Sequence, residues 1–232
     1  MKVQKSLAAG LIFCALASAA TVEKSGTFNG FKVDYKVVLP DNYDPARAYP
    51  TILAFGGGPM NMRVIDGALD RIWRKEAERR GYIVIAPAAP DGKLFYEGGI
   101  KVFPHFLDAM LAEYKVLGRK FHVAGSSNGG LTSFELASRW PKYFWSVSGI
   151  PGMLNEPTPE AIAPLKGICI YMQVGEFDAV GVPEMRKQVE DFWRRGFKAE
   201  YEVKPGQGHG LSFDAAGVSH IFDQLEACRA GG

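Results

Sequence analysis

From Ser25 onward, the spacing of apolar side chains divides the chain into two regimes. The first is strict alternation: "TFNGFKVDYKVVLP" switches between apolar and polar residues on both sides of Asn29-Gly30. An Asn-Gly pair accepts the left-handed backbone of a tight turn, so two antiparallel edge strands joined as a hairpin are predicted. The second regime begins at "PTILAF" and interleaves short continuous apolar runs with stretches of helical period. The runs are "TILAF", "YIVIAP", "FHVAGS", "YFWSVSGI", "GICIYMQVG" and "KAEYEVKP", with helices expected over 66–80, 102–117, 128–138, 183–195 and 213–227. A strand without polar alternation is buried on both faces, and strand-helix alternation makes a parallel sheet covered by helices. The expectation is therefore an α/β fold of about eight strands and six helices.

Two connections interrupt this rhythm. Pro87 to Pro104 contains Gly98-Gly99, and Pro151 to Lys166 contains four prolines. Long loops in a compact domain carry function more often than short ones, so both are candidate walls of a binding site. No period of 20 to 50 residues recurs, which excludes solenoids and propellers.

Composition narrows the picture further. With 232 residues, 47% of them apolar and 22% charged, the chain supports one sizeable core, read here as a single domain over 20–232. The opening "MKVQKSLAAGLIFCALASAA" places Lys2 and Lys5 before an apolar run from Leu7 to Ala17, followed by Ala17-Ser18-Ala19 as a small-residue cleavage site. That run is too short to span a bilayer, so residues 1–19 are expected to form a cleaved secretory signal, cut near Ala19 or Ala20. An exported protein, periplasmic or secreted, is expected. Its mature form would balance 25 basic against 25 acidic residues, which points away from nucleic acid and anionic membrane as partners. Cys169 and Cys228 would remain, either as buried thiols or as a disulfide.

The chemistry is concentrated in "HVAGSSNGGLTS", His122 to Ser133. Gly125, Ser127 and Gly129 fit the frame Gly-x-Ser-x-Gly, in which a strand turns sharply into a helix and exposes a serine hydroxyl. Ser126 occupies a variable position of that frame. The frame alone recurs by chance, but "FHVAG" before it reads as a strand and "NGGLTSFELASRW" after it as a helix. A serine attacks only when a base takes its proton. Of the four histidines, His122 lies inside the strand, His105 at a helix start and His220 in the last helix, whereas His209 sits in the glycine-flanked loop "KPGQGHGLS". To orient it, "CIYMQVGEFDAVGVP" offers Asp178, with Glu176 as the alternative. For the oxyanion, the expected donors are the backbone N–H of Asn128 and that of Gly57 in "GGGPM", the loop after "TILAF".

These segments together resemble the α/β-hydrolase superfamily, whose chain order of nucleophile, acid and histidine is matched by Ser127, Asp178 and His209. More narrowly, "LPDNYDPARAYPTILAFGGGP", "VAGSSNGGLTSFELASRWPKYFWSVSGIPG", "VGEFDAVGVP" and "GQGHG" are similar to secreted polyhydroxybutyrate depolymerases and feruloyl esterases. Dienelactone hydrolases and the catalytic domains of prolyl oligopeptidase-type peptidases share much of the pattern. The sequence departs from these families at Phe55, where His often precedes the oxyanion glycines, and at Gly118-Arg119-Lys120, where an Asp is common. The resemblance implies an α/β-hydrolase fold with minimal or no lid. It also implies a serine esterase acting through an acyl-enzyme on a small-molecule or polymeric ester, with no metal and no organic cofactor. A serine peptidase is the rival within the class, and a non-catalytic binding module on the same fold the rival outside it.

Overall fold

A computed structural model describes residues 20–90 and 93–231, so the expected signal, residues 1–19, lies outside the described residues. The hairpin forms as the alternation predicts: β1 (Ala20–Phe28) pairs antiparallel with β2 (Phe31–Leu39). Asn29 and Gly30 take φ of 51° and 82° at its tip, the doubly left-handed turn that suits the twist of paired strands.

Among the described residues the remaining strands are β3 (Thr51–Phe55), β4 (Ile83–Pro87), β5 (Phe121–Gly125), β6 (Phe144–Gly149), β7 (Cys169–Gly175) and β8 (Ala199–Lys204). All eight belong to one sheet in the order β1-β2-β4-β3-β5-β6-β7-β8. β2 joins β4 antiparallel, and every pairing from β4 to β8 is parallel. Alternate residues of the central strands face opposite layers. Leu53, Phe55, Ile85 and Val123 join one core, and Ile52, Ala54, Val84 and Ala124 the other. The first core takes Phe106 and Met110 of α3 (His105–Glu113), Phe134 of α4 (Asn128–Arg139), Ile162 of α5 (Pro159–Ile162) and Phe192 of α6 (Gly181–Arg194). The second takes Ile65 of α1 (Met62–Ala68), Ala77 of α2 (Arg74–Arg80) and Phe222 of α7 (Ala215–Ala230). Each fully buried aromatic or aliphatic side chain contributes about 1.5–3 kcal/mol, which is why continuous apolar strands need helices on both faces.

Several expected helix boundaries move. The helix expected over 66–80 begins at Met62, because Asn61 Oδ1 caps it by accepting the Val64 N–H at 3.1 Å. It then passes through a π turn, Leu69–Trp73, that keeps both Leu69 and Trp73 buried. The helix expected over 102–117 is shortened to His105–Glu113. Beyond it Val116 forms a parallel bridge with Tyr49, and the Leu117 N–H donates to the Tyr49 carbonyl at 2.8 Å, so sheet-type pairing takes the residues that periodicity assigned to helix. The last helix runs on to Ala230 instead of ending at 227.

The two cysteines left open by the sequence are bonded. Cys169 at the start of β7 and Cys228 in α7 form a disulfide with Cα atoms 6.0 Å apart, joining the sheet to its last helix. Among the described residues no helix is long and apolar enough to cross a membrane.

Candidate active site

Ser127 stands where β5 turns into α4, with φ 54° and ψ −117°, a backbone region that a residue with a side chain enters only when its surroundings impose it. Those surroundings are hydrogen bonds. The Ser127 N–H donates to the Pro151 carbonyl at 2.7 Å, and its own carbonyl accepts the Leu131 N–H at 2.9 Å. The flanking glycines are a packing requirement. A Cβ on Gly125 would lie 2.3 Å from the Gly129 backbone, and one on Gly129 would lie 2.5 Å from the Gly56 carbonyl oxygen. The glycines of the Gly-x-Ser-x-Gly frame thus let the strand, the turn and the glycine loop after β3 approach this closely.

His209 arrives from the loop after β8 and places Nε2 2.9 Å from Ser127 Oγ and Nδ1 2.7 Å from Asp178 Oδ2. Asp178 is 7% exposed, and its other oxygen accepts the Gly181 N–H at 2.8 Å. Burial by itself would raise its pKa. The Gly181 N–H, the His209 ring and the Val180 N–H outweigh that and hold the carboxyl below the usual carboxylate range. An ionised carboxylate can only accept, so His209 Nδ1 donates to it, and Nε2 of the neutral ring accepts the Ser127 hydroxyl proton. Glu176, the alternative acid, faces elsewhere: its Oε2 accepts the Gly206 N–H at 2.8 Å and anchors the start of the histidine loop. Gln207 closes that loop, since its carboxamide donates to the Ser212 carbonyl at 3.0 Å and accepts the Ser212 N–H at 2.7 Å. No sequence signal singled out Gln207; only the loop's return at Ser212 reveals its part.

On the other side of Ser127 lies the glycine loop after β3. Gly57 packs against the turn so closely that a Cβ there would be 3.1 Å from the Ser126 carbonyl oxygen and 3.5 Å from Ser127 Cβ. Asn128 begins α4, so its N–H has no intrahelical partner. Its side chain spans two loops: Nδ2 donates to the Gly58 carbonyl at 2.8 Å, and Oδ1 accepts the Tyr96 hydroxyl at 3.3 Å. The sequence pointed to the Asn128 backbone and missed this carboxamide.

The other histidines stay apart. His122 is fully buried in β5 with Nδ1 2.7 Å from Ser146 Oγ, while His105 and His220 are exposed at a helix start and in the last helix. Phe55, the departure before the glycines, packs its ring against Phe95 and Phe103, with centroids 5.5 and 6.1 Å away. Of the two expected loop walls, 87–104 sends Tyr96 to Asn128 but buries Phe95 in the core, and 151–166 buries Leu154 but presents Met153. Met153, Leu131, Pro151, Val180 and Met185 line a cavity of about 180 Å³ that opens onto Ser127 and His209. Among the described residues no group of three or more His, Cys, Asp or Glu side chains is placed to hold a metal ion.

The fold has counterparts among known proteins. No protein-family model matches the chain. Dipeptidyl-peptidase 5 of Porphyromonas gingivalis is 32% identical over 137 residues, a match covering 51% of this chain and 19% of that protein. This chain thus spans about a fifth of that relative's length. A thermostable esterase superposes with a TM-score of 0.69 at 18% identity, over 90% of this chain and 62% of its own. A ferulic acid esterase superposes with a TM-score of 0.70 at 16% identity, over 91% of this chain and 97% of its own. At such identities the likeness concerns the fold, and the fold is that of the α/β-hydrolases.

Proposed function

We propose that this α/β-hydrolase-fold chain is an exported serine esterase in which Ser127 is the nucleophile, His209 the base, and Asp178 the group that orients His209. The observation that carries the reading is the continuous chain Ser127 Oγ, His209 and Asp178 at 2.9 and 2.7 Å, built on a strained turn. As Ser127 attacks an ester carbonyl, His209 Nε2 takes the hydroxyl proton, and Asp178 stabilises the resulting imidazolium. The carbonyl oxygen, now negative, is held by the N–H groups of Asn128 and Gly57. Preorganised donors of this kind are worth about 3–4 kcal/mol each. The imidazolium then protonates the leaving alcohol, leaving an acyl-enzyme. Water attacks it with His209 again as base and regenerates Ser127. An apolar cavity beside the nucleophile suits the carbon chain of an ester, and the disulfide suits an oxidising compartment outside the cytosol.

The test is turnover of p-nitrophenyl acetate. Ser127→Ala should lower the rate on the order of a millionfold, and Ser126→Ala should be mild by comparison. Retention of wild-type turnover by Ser127→Ala refutes the assignment. Labelling by a fluorophosphonate in the intact chain, absent in Ser127→Ala, separates an enzyme from a binding module on this fold. The 32% match to a dipeptidyl-peptidase supports a second reading, cleavage of peptide bonds, which aminoacyl and dipeptidyl anilides offered beside aryl esters distinguish. Feruloyl esters belong in the same panel because a fold neighbour acts as a ferulic acid esterase.

A further inference from the structure

The cavity beside Ser127 presents carbon almost throughout. Leu131 comes from the first turn of α4, Pro151 and Met153 from the segment after β6, and Val180 and Met185 from the segment after β7 and from α6. Its polar side chains are Ser127, His209 and Asp178, and these are bonded to one another. At about 180 Å³ the space holds roughly six groups the size of a water molecule, and a methylene is of that size. The next depression along the surface shares Met153 and mixes apolar Leu154 and Ile162 with Glu184, Lys187, Asp191 and Arg194. A chain long enough to pass Met153 therefore leaves an apolar trough for one whose lining mixes carbon with charge.

We infer that the site selects esters of unbranched saturated acids of about four to eight carbons and has no recognition for the hydroxyl of a hydroxycinnamoyl group. The inference rests on the esterase reading above. Two limits bound the fate of a feruloyl ring. Seated in the cavity, its phenolic oxygen meets the side chains of Leu131, Met153 and Met185, with no partner to replace the lost water. Turned outward past Val180, which is 72% exposed at the rim, the ring keeps its water and gains little contact. In neither case does the hydroxyl help. A saturated chain has nothing to leave unpaired and gains from every methylene that reaches the trough.

The experiment measures kcat/KM on p-nitrophenyl esters from acetate to dodecanoate, together with methyl cinnamate and methyl ferulate. The expected profile rises about two- to fourfold per methylene from acetate to hexanoate, flattens near octanoate, and gives ferulate no advantage over cinnamate. Leu131→Trp and, as a second route should that variant not fold, Met153→Trp fill the trough, and each should lower the hexanoate-to-acetate ratio at least about tenfold. A flat or falling profile, or ferulate preferred to cinnamate by tenfold, overturns the inference while acetate turnover leaves the esterase reading standing. Failure to cleave any ester, with no fluorophosphonate labelling of Ser127, overturns that reading and the inference with it.

Discussion

His122, the histidine nearest to Ser127 in sequence, gives a prediction that separates a packed histidine from a reacting one. Its ring is fully buried in β5, bonded to Ser146 Oγ through Nδ1, with the Tyr82 ring 6.3 Å away. Burial first, and the Arg229 charge second, push its pKa down to about 3 from an ordinary 6.5. Between those two values the unfolded chain binds a proton that the folded chain refuses, so stability falls as pH falls through the window. The slope approaches about 1.4 kcal/mol per pH unit, and from pH 7.5 to 4.5 the loss from this one group accumulates to about 2.5 kcal/mol. The perturbation is the pair His122→Leu and Ser146→Ala, which removes both polar partners instead of stranding one. Urea unfolding of both proteins at several pH values across that range measures the effect. Other titrating groups are common to the two proteins and cancel in the difference, and any packing defect adds an offset that does not vary with pH. The variant should regain about 2.5 kcal/mol relative to wild type on going from pH 7.5 to 4.5. If the two stabilities fall in parallel, within about 0.5 kcal/mol, His122 is not held neutral by burial and the reasoning is refuted.

Other outcomes follow from the same geometry. Asp178→Asn should cut kcat on the order of 10⁴-fold, because an amide no longer enforces the proton on His209 Nδ1. Because the pKa of Asp178 is lowered, its contribution to stability is complete above about pH 4 and lost as pH falls below that; acid unfolding of the variant, followed by circular dichroism, should show a shallower loss there. Asn128→Ala keeps the backbone donor but frees the Gly58 carbonyl. Steady-state kinetics should show kcat falling about 10- to 100-fold with a smaller change in KM, whereas Tyr96→Phe, which removes only the 3.3 Å bond, should cost less than about tenfold. Reduction, or Cys228→Ser, opens a link between positions 59 residues apart and should lower unfolding stability by up to about 4 kcal/mol, read as a drop in the urea midpoint.

Much of this protein is written in local patterns. Apolar runs without alternation, broken by helix-period stretches, determine a parallel sheet covered on both faces, because such strands cannot face water on either side. The Asn29-Gly30 hairpin and the glycine frame around Ser127 are equally local, since each depends on backbone angles or approaches that few residues tolerate. The glycine frame and loop context brought forward Ser127, His209 and the pair Glu176 and Asp178, because each lies just past the end of a strand. What periodicity could not decide depends on contacts between distant segments. Tyr49 drew Val116 out of a helix and into a bridge, and Trp145, Cys169 and Cys228 meet only after β6, β7 and α7 have packed. The same holds at the site. Asp178 and Glu176 are two residues apart and chemically alike, and only the path of the 205–212 loop turns one toward His209 and the other toward the Gly206 N–H. The Asn128 bridge from Gly58 to Tyr96 likewise joins three segments with no common sequence signature. Residue types and spacing determine which groups can reach the sheet edge, and packing in three dimensions decides which of them touch.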